Sequence, residues 1–305
     1  MKDYSHHTVL ELFAGHGVGV AIKELGANEH AVEKAPDAIA TRRANGMDIA
    51  YEDVWDVHLA EGLEHDTQHG SPPCPSFSAA GKGSGRKQMP LILDAIQDGI
   101  WRDIHELRAW SDSLEDPRTG LTVVPLHYAY RFNPTYISLE QVPAVLPIWE
   151  AYAEVLRGMG YSVWVGNLQA EQYGVPQTRK RAILMARRDG KEARPPKPTH
   201  SRYYSHDPEK LDPGVAKWVS MADAIGSIPA DRPSPTVTGG GCDDRRLGAL
   251  RDGRPAGDPQ FTVVSNYGTG GDPAKRGRRM STEPAATITS KFDRMKKVAS
   301  GALGF

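Results

Sequence analysis

The sequence predicts an α/β protein in which an open, doubly wound, mostly parallel sheet is followed by a smaller and irregular domain. Three observations carry this. The apolar run Val9-Leu10-Glu11-Leu12-Phe13 breaks into Ala14-Gly15-His16-Gly17-Val18-Gly19, after which Val20, Ile22 and Leu25 recur at helical spacing up to Gly26. A second strand, His30-Ala31-Val32-Glu33, ends in an acid and leads to a helix begun by Pro36 and stopped near Gly46. Beyond Arg187 the composition turns to Arg, Lys, Pro and Gly, and regular periodicity fades.

The first two observations describe a nucleoside-binding βαβ unit. Glycines let a ligand approach the backbone, and an acid at the end of the second strand can accept hydrogen bonds from a ribose diol. Gly15-x-Gly17-x-Gly19 is not the Gly-x-Gly-x-x-Gly of dinucleotide sites, which favours S-adenosylmethionine (SAM) over NAD. Taken alone, the glycines are equally compatible with an ordinary turn.

Composition narrows the classes. The 305 residues are 39% hydrophobic and 25% charged, enough for one large or two ordinary cores. No apolar run approaches the roughly 18 residues of a membrane span, and Met1–His7 lacks a signal-peptide core, so a cytoplasmic protein is expected. Two cysteines, Cys74 and Cys242, exclude a disulfide framework and a cysteine-rich zinc site. Residues 1 to 186 carry 16 Lys/Arg against 24 Asp/Glu, whereas residues 187 to 305 carry 21 against 14. A basic C-terminal part on an acidic body suits contact with phosphates.

Further along, Gly70-Ser71-Pro72-Pro73-Cys74-Pro75-Ser76-Phe77-Ser78 reads as a stiff turn that aims a thiol. Ala79–Lys87 interleaves glycines with cations and reads as a mobile loop. Residues 89 to 110 form one or two helices, and another runs to about Phe132. The β-rich run Thr135–Glu140 ends in a carboxylate, where ligands of open α/β sheets bind. A helix through Trp149 and Leu156 ends at Gly160, and a strand Tyr161–Val165 leads to Tyr173–Arg181 and the apolar strand Ala182–Ala186. Arg179 and Arg181, two apart on one strand, share a face. After the linker Arg194–Pro198, a Thr-hydrophobic-Thr pattern recurs at Thr236–Thr238 and Thr287–Thr289, too few copies for a solenoid. Cys242 reads as an inert loop thiol.

Several of these segments occur in the order of one family. Phe13-Ala14-Gly15-x-Gly17, Pro73-Cys74, Arg118-Thr119-Gly120-Leu121, Glu140-Gln141-Val142 and Gln177-x-Arg179-x-Arg181 resemble motifs of the C5-cytosine DNA methyltransferases, with Gln141 where the family has Asn. The helices over 89 to 110 then form an inserted element. The resemblance implies a Rossmann-like SAM-dependent domain over 1–186, a target-recognition domain over 187–281 and the start of a return segment over 282–305. It implies that Cys74, Glu140, Arg179 and Arg181 are catalytic. Phe13, Ala14, Gly15, His16, Gly17, Val18, Glu33, Lys34, Asp53, Val54, Pro73 and Leu121 would hold SAM, with S-adenosylhomocysteine as product and no metal. Ser78, Lys82, Arg86 and Lys87 would contact double-stranded DNA as a lid closes. Nothing after Ser290 matches the family's Gly-Asn-Ala-Val-Pro-like motif, so the expectation is either a shortened protein with weak SAM affinity and low activity, or one whose cofactor pocket is completed by a second chain or another part of this one. A tRNA methyltransferase of the same fold and a noncatalytic DNA-binding subunit remain open alternatives.

Overall fold

The structure, a computed structural model, describes residues 3–15, 17–73, 87–203, 210–220, 223–224, 261–265, 278–280, 285–286 and 295–299. They belong to two compact units, Met1–Asn167 with Arg181–Pro196, and Leu168–Lys180 with Lys197–Phe305. The boundary read from sequence at 186 and these units differ over 168–180 and 187–196.

The main sheet has six strands. β1 (Thr8–Leu12), β2 (Asn28–Val32), β3 (Thr67–Gly70) and β4 (Tyr136–Gln141) are parallel neighbours in the order β2-β1-β3-β4, and β7 (Lys180–Arg187) runs antiparallel beside β4 with β5 (Ser162–Gln169) at the edge. The order reverses between β2 and β3, which flank β1, so a crevice opens at the carboxyl ends of these strands. Among the described residues the helices of eight or more residues are α1 (Val18–Leu25), α2 (Pro36–Ala44), α3 (Met89–Asp98), α4 (Ile104–Ser113), α5 (Val124–Phe132) and α6 (Leu146–Gly158). Pro36 opens α2 as expected, and Gly26 closes α1 in the left-handed region, its N–H returning to Ile22 and Lys23 carbonyls. The stretch over 89 to 110 resolves into two helices. Their break lies at Asp103, whose carboxylate accepts from the His105 and Glu106 N–H groups at 2.8 and 3.1 Å and so starts α4.

Strand alternation sorts the sheet into two faces. Leu10, Leu12, Val32, Ile137, Leu139, Ala182 and Leu184 share one face and are buried with Ile92, Leu107, Leu126, Trp149 and Leu156 from the helices. On the other face Arg42 of α2, fully buried, reaches Glu11 of β1 at 3.3 Å and Glu29 of β2 at 2.6 Å. Burial, reinforced by the neighbouring Glu29, pushes the Glu11 carboxyl up to about 9 against the opposing pull of Arg42. A Cβ on Gly19 would come within 2.6 Å of Arg42 Nη1 and 2.9 Å of Glu29 Oε1, so this glycine serves close packing of α1 on the charged cluster.

In the second unit, β8 (Phe261–Ser265), β9 (Arg278–Met280) and β11 (Met295–Ala299) form an antiparallel sheet in the order β11-β8-β9. β10 (Ala285–Ala286) pairs in parallel with β6 (Gln177–Thr178). These strands hold two to five residues each, too short for a periodic signal in a polar sequence. No helix among the described residues is long and apolar enough to cross a membrane.

Tyr152 tests the helical layer. Its buried hydroxyl donates to the Thr122 carbonyl at 2.7 Å and accepts from the Leu126 N–H at 3.2 Å. Tyr152→Phe removes the donor to the buried Thr122 carbonyl, while the Leu126 N–H keeps its bond to the Val123 carbonyl at 3.1 Å, and is expected to lower unfolding free energy by about 1 to 3 kcal/mol in urea titrations with an unchanged m-value.

Candidate functional site

The site begins where β1 ends. Phe13 adopts φ 60°, a left-handed backbone that costs a bulky residue about 1 to 2 kcal/mol, and Gly15 follows at φ 53°. Two bonds hold this turn. The Ala14 N–H donates to the Val32 carbonyl at 2.9 Å, and the Gly15 N–H donates to Glu33 Oε2 at 2.7 Å. Glu33 Oε1 accepts from the Lys34 and Ala35 N–H groups at 2.8 and 2.6 Å. One carboxylate therefore ties the turn after β1 to the entrance of α2. Gly17 precedes α1, Val18 is its exposed first residue, and His16 lies outside the described residues.

A cavity of about 720 Å³ opens beside this clasp, within the first unit. Phe13, Glu33, Lys34, Asp53, Val54, Pro73 and Leu121 line it, as the resemblance implies for cofactor contacts. Ala14, Gly15, Gly17 and Val18 are not among its lining residues, and Gly15 shapes it through Glu33. Val32, Ala35, Pro36, Trp55, Ser71 and Arg118 also line it and were not foreseen. Val32, Ala35 and Trp55 each flank a foreseen residue in the chain, and Arg118 opens the string that ends at Leu121. Apolar walls with two carboxylates suit a ligand that joins an aromatic ring to hydroxyls.

The polar lining residues are held by their neighbours. Asp53 Oδ2 accepts from Lys34 Nζ at 2.7 Å and Oδ1 from the Trp55 N–H at 3.1 Å. Burial pushes the Asp53 carboxyl up, but Lys34, the Trp55 N–H and Arg108 together outweigh it and hold it below its ordinary value. The buried Tyr128 hydroxyl donates to the Val54 carbonyl at 2.5 Å and so braces the cavity wall from the core. Arg118 forms a two-point pair with Asp116, at 2.9 and 2.8 Å. Ser71 is anchored to β1, its N–H to the Leu12 carbonyl and its hydroxyl to the Phe13 carbonyl, each at 3.2 Å.

At the end of β4 the antiparallel register sets Glu140 opposite Ile183, and Arg181 lies two residues further on the same face of β7. Arg181 Nε donates to Glu140 Oε1 at 2.6 Å. Glu140 and the cavity thus share the carboxyl edge of the sheet. The expected single strand through both arginines is corrected. Arg179 falls between β6 and β7 in the second unit, where its N–H turns back to the Gln177 carbonyl at 3.0 Å and its carbonyl accepts from the Ala170 N–H at 2.9 Å. Cys74, Ser78, Lys82 and Arg86 lie outside the described residues, as does most of the chain after Ser290, while Lys87 is exposed just before α3. Among the described residues no group of three His, Cys, Asp or Glu side chains is placed to hold a metal.

His69 of β3 shares the Glu140 face, and its buried Nε2 has no hydrogen-bond partner. Burial lowers its pKa to about 4 against the upward pull of Glu140, and burial does the same to His65. An unfolded histidine protonates near 6.5 and these do so near 4, so the unfolded chain binds more protons between those values and stability falls as pH drops through them. His69→Asn is expected to flatten the stability-pH curve by up to about 1.4 kcal/mol per pH unit in that window, read from urea midpoints at pH 4.5 to 7.

A family model described as C-5 cytosine-specific DNA methylase matches residues 7–97 and 110–238. The match lapses over 98–109, within the stretch set apart by sequence as an inserted element. Type II methyltransferase M.AgeI of Thalassovita gelatinovora is 27% identical over 249 residues, covering 72% of this chain and 50% of the relative. Type II methyltransferase M1.HphI of Haemophilus parahaemolyticus is 28% identical over 238 residues, covering 73% and 53%. The chain spans about half the length of these two curated relatives. A solved structure of a putative DNA modification methyltransferase from an Escherichia coli prophage aligns at a TM-score of 0.45 and 18% identity, over 73% of this chain and 55% of that one. With more than half its length matched to the family model, the chain belongs to the C-5 cytosine-specific DNA methylase family.

Proposed function

We propose that this protein is a DNA (cytosine-5-)-methyltransferase that uses SAM to methylate C5 of a cytosine flipped out of duplex DNA. The observation that carries the reading is the cavity itself. It sits at the carboxyl ends of β1, β2 and β3, and its wall includes Pro73, the residue before Cys74 in sequence.

The residues present fit the cofactor. Phe13, Val54 and Leu121 offer apolar surface to an adenine ring, and Asp53 offers an acceptor to its amino group. The Glu33 carboxylate has about four acceptor positions and spends three on backbone N–H groups, leaving one on Oε2 for a ribose hydroxyl. When bound, SAM supplies a methyl group activated on a sulfonium. The chain's own residues must make cytosine C5 nucleophilic.

Cys74 as thiolate would add to C6, and the electron pair of the C5–C6 double bond then becomes available at C5. Glu140 would share a proton with N3 as charge develops on the ring, held in place by its bond to Arg181. Arg179 and Arg181 would donate to the O2 edge of the base. Once C5 carries the methyl group, loss of the C5 proton restores the double bond and returns the C6–S electron pair to Cys74. C6 is stacked in a duplex, so the base must leave the helix at a cost of a few kcal/mol. Phosphate contacts from Lys82, Arg86, Lys87 and the basic C-terminal part would offset that cost.

Labelled SAM incubated with duplex DNA or tRNA tests the reading, with label expected in duplex DNA. Cys74→Ser is expected to abolish transfer while DNA binding persists, and wild type to form a denaturation-resistant adduct with 5-fluorocytosine duplex. Turnover by the serine variant, or label only in tRNA, would sink it. For the cofactor site, Glu33→Ala is expected to weaken SAM binding by about 1.5 to 3 kcal/mol in calorimetry, and NAD to give no binding heat. Unchanged SAM affinity would assign the cavity to another ligand.

A further inference from the structure

β4 ends in two neighbours that face opposite ways. Glu140 meets Arg181, whereas Gln141 turns to the buried face and is 3% exposed. The Gln141 amide makes two contacts. Its Nε2 donates to the Pro72 carbonyl, and its Oε1 accepts from the Val142 N–H.

The partner is the informative part. Pro72 and Pro73 have no backbone N–H, so the backbone of this pair can be hydrogen-bonded from outside only by donors that reach its carbonyls. Ser71 is fixed on the near side by its bonds to Leu12 and Phe13. Gln141 supplies a side-chain donor to the proline pair itself. An asparagine on the same backbone, the residue that the family resemblance leads one to expect, would stop about one bond length, 1.5 Å, short.

We infer that Gln141 is a positioning residue for the Pro72-Pro73 segment that precedes Cys74, fixing where the chain leaves β3 relative to Glu140, its neighbour on the strand. This rests on the reading of Cys74 as the nucleophile. A thiol and a carboxylate that act on one small ring tolerate little relative displacement. Here one strand end carries Glu140 and, through Gln141, holds Pro72, two residues before Cys74 in sequence.

Gln141→Glu tests the donor without changing the shape. The variant keeps the Oε1 acceptor and, while ionised, has nothing to donate to Pro72. A carboxyl buried there titrates above its ordinary range, so acid returns an O–H that can donate. Compared with wild type at each pH, the full chain is expected to lose about tenfold in kcat at pH 8.5 and to recover to within about twofold at pH 6, with KM for SAM unchanged. Equal losses at both pH values, no loss, or a matching rise in KM would overturn the inference. In a Cys242→Ser background, iodoacetamide alkylation of Cys74 reads the same contact without turnover. Its rate at pH 8.5 is expected to change by about threefold or more in Gln141→Glu, and equal rates overturn the inference. A wild-type chain that forms no 5-fluorocytosine adduct sinks the reading of Cys74 instead, and the alkylation comparison then decides on Gln141.

Discussion

The Glu33 carboxylate is the constraint on which the candidate site depends. It gathers N–H groups from two separate turns, Gly15 after β1 and Lys34 with Ala35 before α2. The Gly15 donor is partly buried, where an unmade hydrogen bond costs about 1 to 3 kcal/mol, whereas the Lys34 and Ala35 donors are exposed. The clasp also holds the turn in which Phe13 keeps its left-handed backbone, and Phe13 forms part of the cavity wall. A strand that ends in an acid is thus a structural device before it is a ligand contact. In the proposed function the same carboxylate serves both ends, because its acceptor capacity exceeds what the two turns consume.

The second organising feature is the end of β4. Alternation along a strand sends Glu140 and Gln141 to opposite faces, and the antiparallel neighbour β7 brings Arg181 to the Glu140 side. With β1, β2 and β3 ending at the same edge, strand ends bring together one side of the cavity, the proline pair and the Glu140–Arg181 pair, and the segments of Asp53–Trp55 and Arg118–Leu121 complete the cavity wall. The helices contribute by bracing. Tyr128 of α5 holds the Val54 carbonyl, and Tyr152 of α6 ties the chain at Thr122 to the start of α5.

Much of this was legible because the signals are local. Strand, glycine turn and helix follow from apolar spacing over fewer than twenty residues, and Pro36 and Gly26 mark helix ends by their own backbone chemistry. The residues that could not be read are those whose role depends on a distant partner. Gly19 has the look of a ligand-binding glycine, yet it makes room for Arg42 and Glu29. Arg179 and Arg181 read as one strand face, yet the chain turns at Arg179 to bond Gln177 and Ala170. Arg118 and Trp55 reach the cavity only because their segments fold back to it.

The sequence by itself determined the α/β class, the order of elements in the first unit, the family, and seven of the thirteen residues that line the cavity. Those properties are written in short-range periodicity, in the fixed torsions of proline and glycine, and in motifs whose order along the chain suffices to recognise them. The tertiary structure alone decided which donor each carboxylate receives, that Glu11 lies against a buried arginine, and that Gln141 turns from Glu140 to hold a proline carbonyl. The physical reason is that a hydrogen bond or an ion pair depends on distances within about 3.5 Å between residues up to 74 positions apart, and no local pattern encodes such a distance.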